Sequence, residues 1–236
     1  MHPAHRAASG AVRAGAVSAE IRARGYRARP RVTTLLGMRL PLLLAPLLAA
    51  GCGPLYLRVT TIQFQSDTAL VTKSGSWHAA EAADAPSPPR VWMQDGAGAE
   101  SEFNLALCEE HPPLNADVHV ALRAVDGQHD QGGGLVWRAR DARNYYLARW
   151  NPLEGNLRAY KVVDGTRTQI LDKPVQAGPG WHKLRVWFLR ERIEIWFDEK
   201  SAGEFGDATF LTPGMVGLWT KSDARTQFDD LEIREL

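Results

Sequence analysis

The sequence is poor in cysteine, with Cys52 and Cys108 as the only two thiols among 236 residues. Two cysteines exclude a disulfide framework and a zinc site built on cysteine ligands. The histidines add no metal site, because no close pair of them has ligand spacing. We therefore predict no such metal site, and we predict that Cys108 is a small buried hydrophobic side chain.

The chain also has no excess of charge of one sign. Its formal net charge is +1, but the first 51 residues, with eight arginines and Glu20 as the only acid, carry +7. Residues 52–236 therefore carry −6. A mildly acidic domain without a basic patch lacks the attraction that nucleic acid requires, so we predict no nucleic-acid partner.

A long apolar run is missing as well, and the short one at residues 40–48 is too brief to span a bilayer. It follows a short positive start and leads through small residues to Cys52, which is the layout of a signal peptide. A cysteine directly after small residues resembles the bacterial lipobox. We therefore predict a lipoprotein signal peptide at residues 38–51 and lipidation at Cys52. The alternative is an ordinary signal peptide followed by an incidental cysteine.

Residues 1–37 do not fit this scheme, since they hold seven arginines, one acid and no clear periodicity. We predict that translation starts at Met38 and that residues 1–37 are an upstream extension. A mitochondrial presequence is also rich in arginine, but it does not explain a second, complete signal. Gly53 follows the cysteine in place of the Asp that retains lipoproteins in the inner membrane. We therefore predict a lipoprotein of the bacterial cell envelope that is attached to the outer membrane only through its lipid and faces the periplasm or the cell surface.

Residues 52–236 contain no convincing helix of ten residues, and period-two alternation dominates instead. The clearest hairpin is residues 182–198, where pairing Leu189 with Arg192 places the aliphatic side chains on one face. We expect four of these side chains in the core: Val186, Phe188, Ile193 and Ile195. Further strands are predicted at residues 117–124, 135–139, 145–150, 156–163, 215–219 and 227–233. Short strands separated by turns predict one all-β domain, an antiparallel two-sheet jelly-roll sandwich.

Four segments carry a family resemblance: GGGLVWRARDARNYYLARW, NLRAYKVVDG, GWHKLRVWFLRERIEIWFDEK and GMVGLWTKSDARTQFDDLEIREL. Together they resemble the concanavalin A-like (laminin G-like) jelly roll, and more narrowly the 3-keto-disaccharide hydrolase-like domain of bacterial secreted proteins. The resemblance covers residues 118–236. It implies two curved sheets whose concave face is the usual place for sugars, although fold alone does not imply an activity.

The catalytic carboxylates of related enzymes are missing from the sequence. Retaining glycosidases need two close carboxylates, and glucanases of this superfamily supply them from one strand as E-x-D-x-x-E or E-x-D-x-E. Neither pattern occurs here. Members of the narrower family carry Tyr-Glu-x-Gln, where residues 145–149 read YYLAR. We therefore predict a protein that binds a glycan or cell-envelope polysaccharide without cleaving it. The alternatives are a glycoside hydrolase of the 3-keto-disaccharide type and a structural envelope protein with no small ligand.

Polar planar groups beside aromatics suit sugar hydroxyls and the apolar faces of sugar rings. The candidate ligand-binding residues are Arg138, Asn144, Tyr146, Arg149, Asn156 and Trp219. If Trp137 lies in the core, alternation places Arg138 in the groove, where its charge is not buried without a partner. We expect Arg138, Asn144 and Arg149 to converge at one mouth of the groove beside Trp219. The alternative is that these polar residues face solvent while the tryptophans fill the core.

One further residue is a candidate by resemblance alone. Asp229 and Asp230 open the last predicted strand, where laminin G-like relatives hold Ca²⁺. Ca²⁺ takes six or more oxygen ligands, and adjacent strand residues point to opposite faces, so Asp229 supplies at most part of a structural calcium site. The alternative is a hydrogen-bonded strand cap. We predict no other cofactor.

Overall fold

The computed structural model describes residues 55–66, 70–96 and 98–236. Its contacts divide the chain into two units, Met1–Gly51 and Cys52–Leu236, and every described residue belongs to the second. The predicted extension at 1–37, the signal peptide at 38–51 and the lipidated Cys52 lie outside the described residues and stay predictions. No helix in the described ranges is long and apolar enough to cross a membrane.

The described residues form fifteen strands and no helix, because period-two alternation recurs along most of the chain. The strands are β1 Arg58–Ile62, β2 Val71–Ser74, β3 Trp77–Glu81, β4 Arg90–Asp95, β5 Phe103–Cys108, β6 Ala116–Asp126, β7 Gly133–Asp141, β8 Asn144–Asn151, β9 Asn156–Val163, β10 Thr166–Pro174, β11 His182–Leu189, β12 Arg192–Phe197, β13 Lys200–Gly206, β14 Met215–Lys221 and β15 Arg225–Glu235.

These strands build two antiparallel sheets. Sheet A has the order β13-β12-β11-β6-β15-β4-β3, with β1 also paired to β15. Sheet B has the order β10-β9-β8-β7-β14-β5-β2. The prediction of an all-β, antiparallel two-sheet sandwich is therefore confirmed. All described strands lie inside the unit Cys52–Leu236, so a chain restricted to this unit keeps both sheets.

The hairpin β11–β12 has the register that its sequence predicts, with Leu189 opposite Arg192 and Phe188 opposite Ile193. Both Phe188 and Ile193 are fully buried, as are Val186 and Ile195. The face assignment made from alternation alone is therefore confirmed for this hairpin.

The core lies between the sheets and is built on large side chains from both. Trp92, Phe188 and Phe228 come from sheet A, and Trp137 and Trp150 come from sheet B. Cys108 also belongs to this core as a buried free thiol, as predicted from the sequence.

A second apolar cluster lies on the opposite face of sheet B. Its members are Leu105, Leu107, Val136, Ala139, Tyr145, Leu147, Tyr160, Val162 and Trp219, all on strands of this sheet. Arg167 on β10 reaches within 5.2 Å of the Phe103 ring on β5, five places away in the sheet. Five strand spacings amount to about 24 Å in a flat sheet, so sheet B must curve towards this face. We call it the concave face.

Candidate functional site

Strand β8 sends alternate side chains to the two faces of sheet B. Tyr146 and Ala148 belong to the core, whereas Leu147 lies on the concave face and Arg149 shares its side of the strand. The predicted sharing of faces is therefore confirmed. Alternation also places Val136 on the concave face and Trp137 in the core, as expected.

Arg138 departs from this pattern, and the expectation that it faces the groove is wrong. Its backbone has a φ of 49°, and the β7–β8 register shifts after Trp137, so a bulge interrupts the alternation. The guanidinium lies 5.0 Å from the Phe188 ring and donates hydrogen bonds to the carbonyls of Phe210 and Leu114. Arg138 is 1% exposed and is held by interior partners.

Two other candidates also lie away from the concave face. The Tyr146 ring stacks on Trp137 in the core, and its hydroxyl donates to the carboxylate of Asp207 at 2.6 Å. Asn144 opens β8 at the turn from β7, where its side chain bonds Asp141 and the backbone N–H of Asp164. The predicted convergence of Arg138, Asn144 and Arg149 at one mouth therefore does not occur.

Arg149 and Asn156 do meet, in a polar network at one end of the concave face. Arg149 donates to the Asn156 side-chain oxygen at 3.4 Å and to Glu154 at 3.0 Å. Glu154 also accepts from Asn156 and from Arg158. Burial raises the pKa of Glu154, but the hydrogen bond from Asn156 and the charge of Arg149 outweigh it, so the net pKa is lowered. Glu154 is thus an ionised partner, unlike the general acid of a glycosidase, whose pKa is raised.

Trp219 stands on the same face, two strands from Arg149. Gly134 is in register with both residues, and a Cβ there would lie 1.9 Å from the Ala148 carbonyl oxygen. Only glycine fits at this close approach, so no side chain separates Trp219 from Arg149. Trp219 is 1% exposed and packs 5.4 Å from Phe103.

Arg167 fills the space between these aromatic rings, and no feature of the sequence pointed to it. Its guanidinium lies 4.4 Å from the Tyr160 ring, 5.2 Å from Phe103 and 6.0 Å from Trp219. We call these three rings the aromatic cage. Because a cation over several rings is stabilised by their quadrupoles, Arg167 lies across the groove rather than in solvent.

The concave face carries four buried donor atoms without an acceptor. They are Tyr145 Oη, Arg149 Nε, Arg167 Nη1 and Trp219 Nε1. The Trp219 indole approaches the Tyr145 hydroxyl, but neither group completes a hydrogen bond. Burial raises the pKa of Tyr145 to about 12, so its hydroxyl keeps its proton and stays a donor. An incoming group with acceptor oxygens would satisfy this set.

The outer face of sheet A holds a different feature, an open cleft of about 540 Å³. Its lining is Thr61, Gln63, Pro86, Ser87, His119, Ala121, Trp181, His182, Lys183, Asp198, Asp230 and Glu232. His182 contacts Asp198 and the Gly178 carbonyl, each at 2.8 Å. Both of its ring nitrogens are therefore engaged inside the protein.

Asp229 borders this cleft, and its surroundings fit a strand cap better than calcium. Its carboxylate accepts the backbone N–H groups of Ser87 and Asp230. Burial raises its pKa to about 6. In the described ranges no group of three or more His, Cys, Asp or Glu could hold a metal ion. Calcium at Asp229 stays a prediction and enters no step below.

Comparison with known proteins places the fold. No family model matches the chain, and no curated protein matches its sequence. Among solved structures, a carbohydrate-binding module, CBM66 from Bacillus subtilis, superposes with a TM-score of 0.59 at 20% identity, covering 72% of this chain and 98% of that one.

Two further structures are similar. The GH43 protein BlXynB from Bacillus licheniformis has a TM-score of 0.52 at 17% identity, over 74% of this chain and 38% of that one. A Bacillus subtilis protein of unknown function with a galectin-like fold has a TM-score of 0.53 at 8% identity, over 75% of this chain and 94% of that one. The protein thus has the fold of a jelly-roll sandwich. The narrower 3-keto-disaccharide hydrolase-like resemblance stays a prediction.

Proposed function

We propose that this protein is a lipid-anchored domain of the bacterial cell envelope that binds a glycan on its concave face without cleaving it. One observation carries the proposal: four buried donors on that face have no acceptor. A buried donor left unsatisfied costs about 1–3 kcal/mol. Sugar hydroxyl and ring oxygens are acceptors for such donors.

The neighbouring residues suit the same ligand. The polar network around Arg149, Glu154 and Asn156 offers planar groups at the end of the groove, and Arg158 extends it to a partly exposed position. A jelly-roll sandwich found in a carbohydrate-binding module is compatible with this role. No nucleic-acid partner is proposed.

The lipid anchor belongs to the proposal. If Cys52 is acylated, the five residues 53–57 join it to the start of β1 at Arg58. The six Cα–Cα steps from Cys52 to Arg58 span at most about 20 Å, so the domain stays close to the membrane surface. Together with Gly53, this tether supports an outer-membrane lipoprotein that faces the periplasm or the cell surface.

The adjacent residues Tyr145 and Tyr146 form a matched pair for the test. Tyr145→Phe removes an unpartnered hydroxyl on the concave face, whereas Tyr146→Phe removes a core hydroxyl that binds Asp207. A glycan array with residues 53–236 identifies ligands, and calorimetry measures their affinity. We expect Tyr145→Phe to weaken binding at least fivefold without loss of stability. Tyr146→Phe should lower the unfolding free energy by about 1–2 kcal/mol with affinity unchanged.

The opposite results reject the site or the function. Equal affinity of Tyr145→Phe and wild type would remove the concave face as the site. Absence of any glycan ligand would favour a structural envelope protein. Release of reducing sugar from a bound oligosaccharide would favour the glycoside hydrolase. For that alternative, buried Asp130, whose pKa is raised by burial, is the carboxyl to replace first.

A further inference from the structure

Arg167 differs from the other arginines near the concave face in its lack of an acidic partner. Arg149 pairs with Glu154, and Arg158 pairs with Glu154 and Asp172. In the described part of the chain, no ion pair joins Arg167 to an Asp or Glu, and its Nη1 atom is buried without a hydrogen bond. The concave face therefore carries one uncompensated positive charge.

The aromatic cage fixes where this charge lies. The guanidinium lies 5.2 Å from the Phe103 ring, 4.4 Å from Tyr160 and 6.0 Å from Trp219. Ring faces stabilise a cation but offer no lone pair to its N–H groups. Arg167 is only partly buried and sits on the edge strand β10, so a ligand reaches it without entering the core.

Two more donors belong to the same set. The charge of Arg167 acts on the Tyr145 hydroxyl and lowers its pKa against the larger effect of burial. The Trp219 indole belongs to the aromatic cage itself. Both are unpartnered, in residues that are 0% and 1% exposed. A charged donor with two neutral donors and no acceptor is complementary to an anion. Guanidinium matches the planar carboxylate in particular, through two parallel hydrogen bonds.

We infer that the glycan bound on the concave face is acidic, with the carboxylate of a uronic acid residue seated on Arg167 and within reach of Tyr145 and Trp219. The inference rests on the proposed function and names its ligand class. Arg167 should also weaken the binding of neutral sugars, because its guanidinium covers the aromatic cage on which a neutral sugar would stack.

The test uses oligomers of glucuronate, galacturonate, mannuronate and guluronate, each as the free acid and as the fully methyl-esterified, neutral form. Wild-type residues 53–236 should bind at least one free acid tenfold or more tightly than its ester. Added salt should weaken that binding, because the charges are partly exposed.

Arg167→Ala should lower the affinity for the acid at least tenfold while leaving the ester unchanged or more tightly bound. Arg140→Ala is the matched control, since Arg140 is exposed and lies 4.9 Å from the Phe210 ring, away from the groove. Its affinity should stay within twofold of wild type. Arg167→Lys, which keeps the charge but loses the two-pronged geometry, should fall between wild type and Arg167→Ala.

The outcomes separate the two proposals. If ester and acid bind equally, or if Arg167→Ala binds the acid as wild type does, the acidic ligand is wrong while a neutral glycan site remains. If neither the uronates nor a neutral glycan array yields a ligand, both the acidic ligand and the proposed glycan-binding function are wrong. The comparison of acid and ester on wild type needs no variant, so it decides even if Arg167→Ala does not fold.

Discussion

The outer face of sheet A and the concave face of sheet B differ in how their arginines are paired. On sheet A, Asp117 is 2% exposed and accepts two hydrogen bonds from Arg185, each of 2.8 Å, with His119 3.0 Å away. On sheet B, Arg167 and Tyr145 are left with unpartnered donors. A paired charge is complete without a ligand, whereas unpaired donors outside the core are groups that a ligand can satisfy.

The size of the open cleft, in contrast, favours the outer face of sheet A as the ligand site. The 540 Å³ cleft lies on sheet A, yet several of its polar groups are already bound inside the protein, as His182 is to Asp198. Trp181 Nε1 and His119 Nε2 are exceptions, because both atoms are buried without a hydrogen bond. The unsatisfied atoms therefore favour the concave face, and the open volume favours the cleft. Variants on each face decide between them.

The largest effect is expected from breaking the paired network. Asp117→Ala leaves Arg185 without its partner and should lower the unfolding free energy by about 3–5 kcal/mol, with glycan affinity unchanged. Burial raises the pKa of Asp117, but the neighbouring His119 and the hydrogen bonds from Arg185 outweigh it and lower the pKa to about 2. The stabilisation should hold above pH 4 and be lost as pH falls through 2. Denaturant titration measures both, and a loss below about 1 kcal/mol would contradict the pairing.

Arg138→Ala should have the next largest effect. It leaves the Phe210 and Leu114 carbonyls without their donor, so we expect about 2–4 kcal/mol of lost stability. Glycan affinity, corrected for the folded fraction, should not change. Weaker binding at full stability would restore Arg138 to the ligand site and break the distinction between the two faces.

The smallest effect is expected in the cleft. Trp181→Phe removes the one unpartnered indole N–H of that lining while keeping an aromatic ring over which Arg123 packs at 4.8 Å. Calorimetry should find glycan affinity within twofold of wild type. A tenfold loss would move the site from the concave face to the cleft.

The strands that sequence reasoning identified are those with alternating apolar residues and high burial, such as β9 and the β11–β12 hairpin. β10 was missed because its pattern is mostly polar and exposed and is interrupted by a register shift at Gln169. The end of β3 and the start of β4 lie in residues 79–90, a stretch rich in Ala, Pro and Ser in which the sequence predicts no strand. Edge strands pack one side only, so their alternation is weak.

The candidate site was predictable from the sequence only where the alternation of side chains along a strand is regular. Alternation placed Arg149 and Trp219 on strands whose faces are regular. It failed at Arg138, where a bulge reverses the side chain, because a positive φ leaves no trace in hydrophobic spacing. It also missed Arg167, since the cage depends on the curvature of sheet B, which brings together residues from β5, β9, β10 and β14.

The most direct test follows the indole N–H signals of Trp219 and Trp181 in ¹⁵N-labelled residues 53–236 during titration with a glycan found by the array. Both N–H groups are buried without partners, one on each face, so they report on the two sites in one spectrum. We expect the Trp219 signal to shift with the ligand and the Trp181 signal to stay in place. A shift of Trp181 with Trp219 unmoved would contradict glycan binding on the concave face.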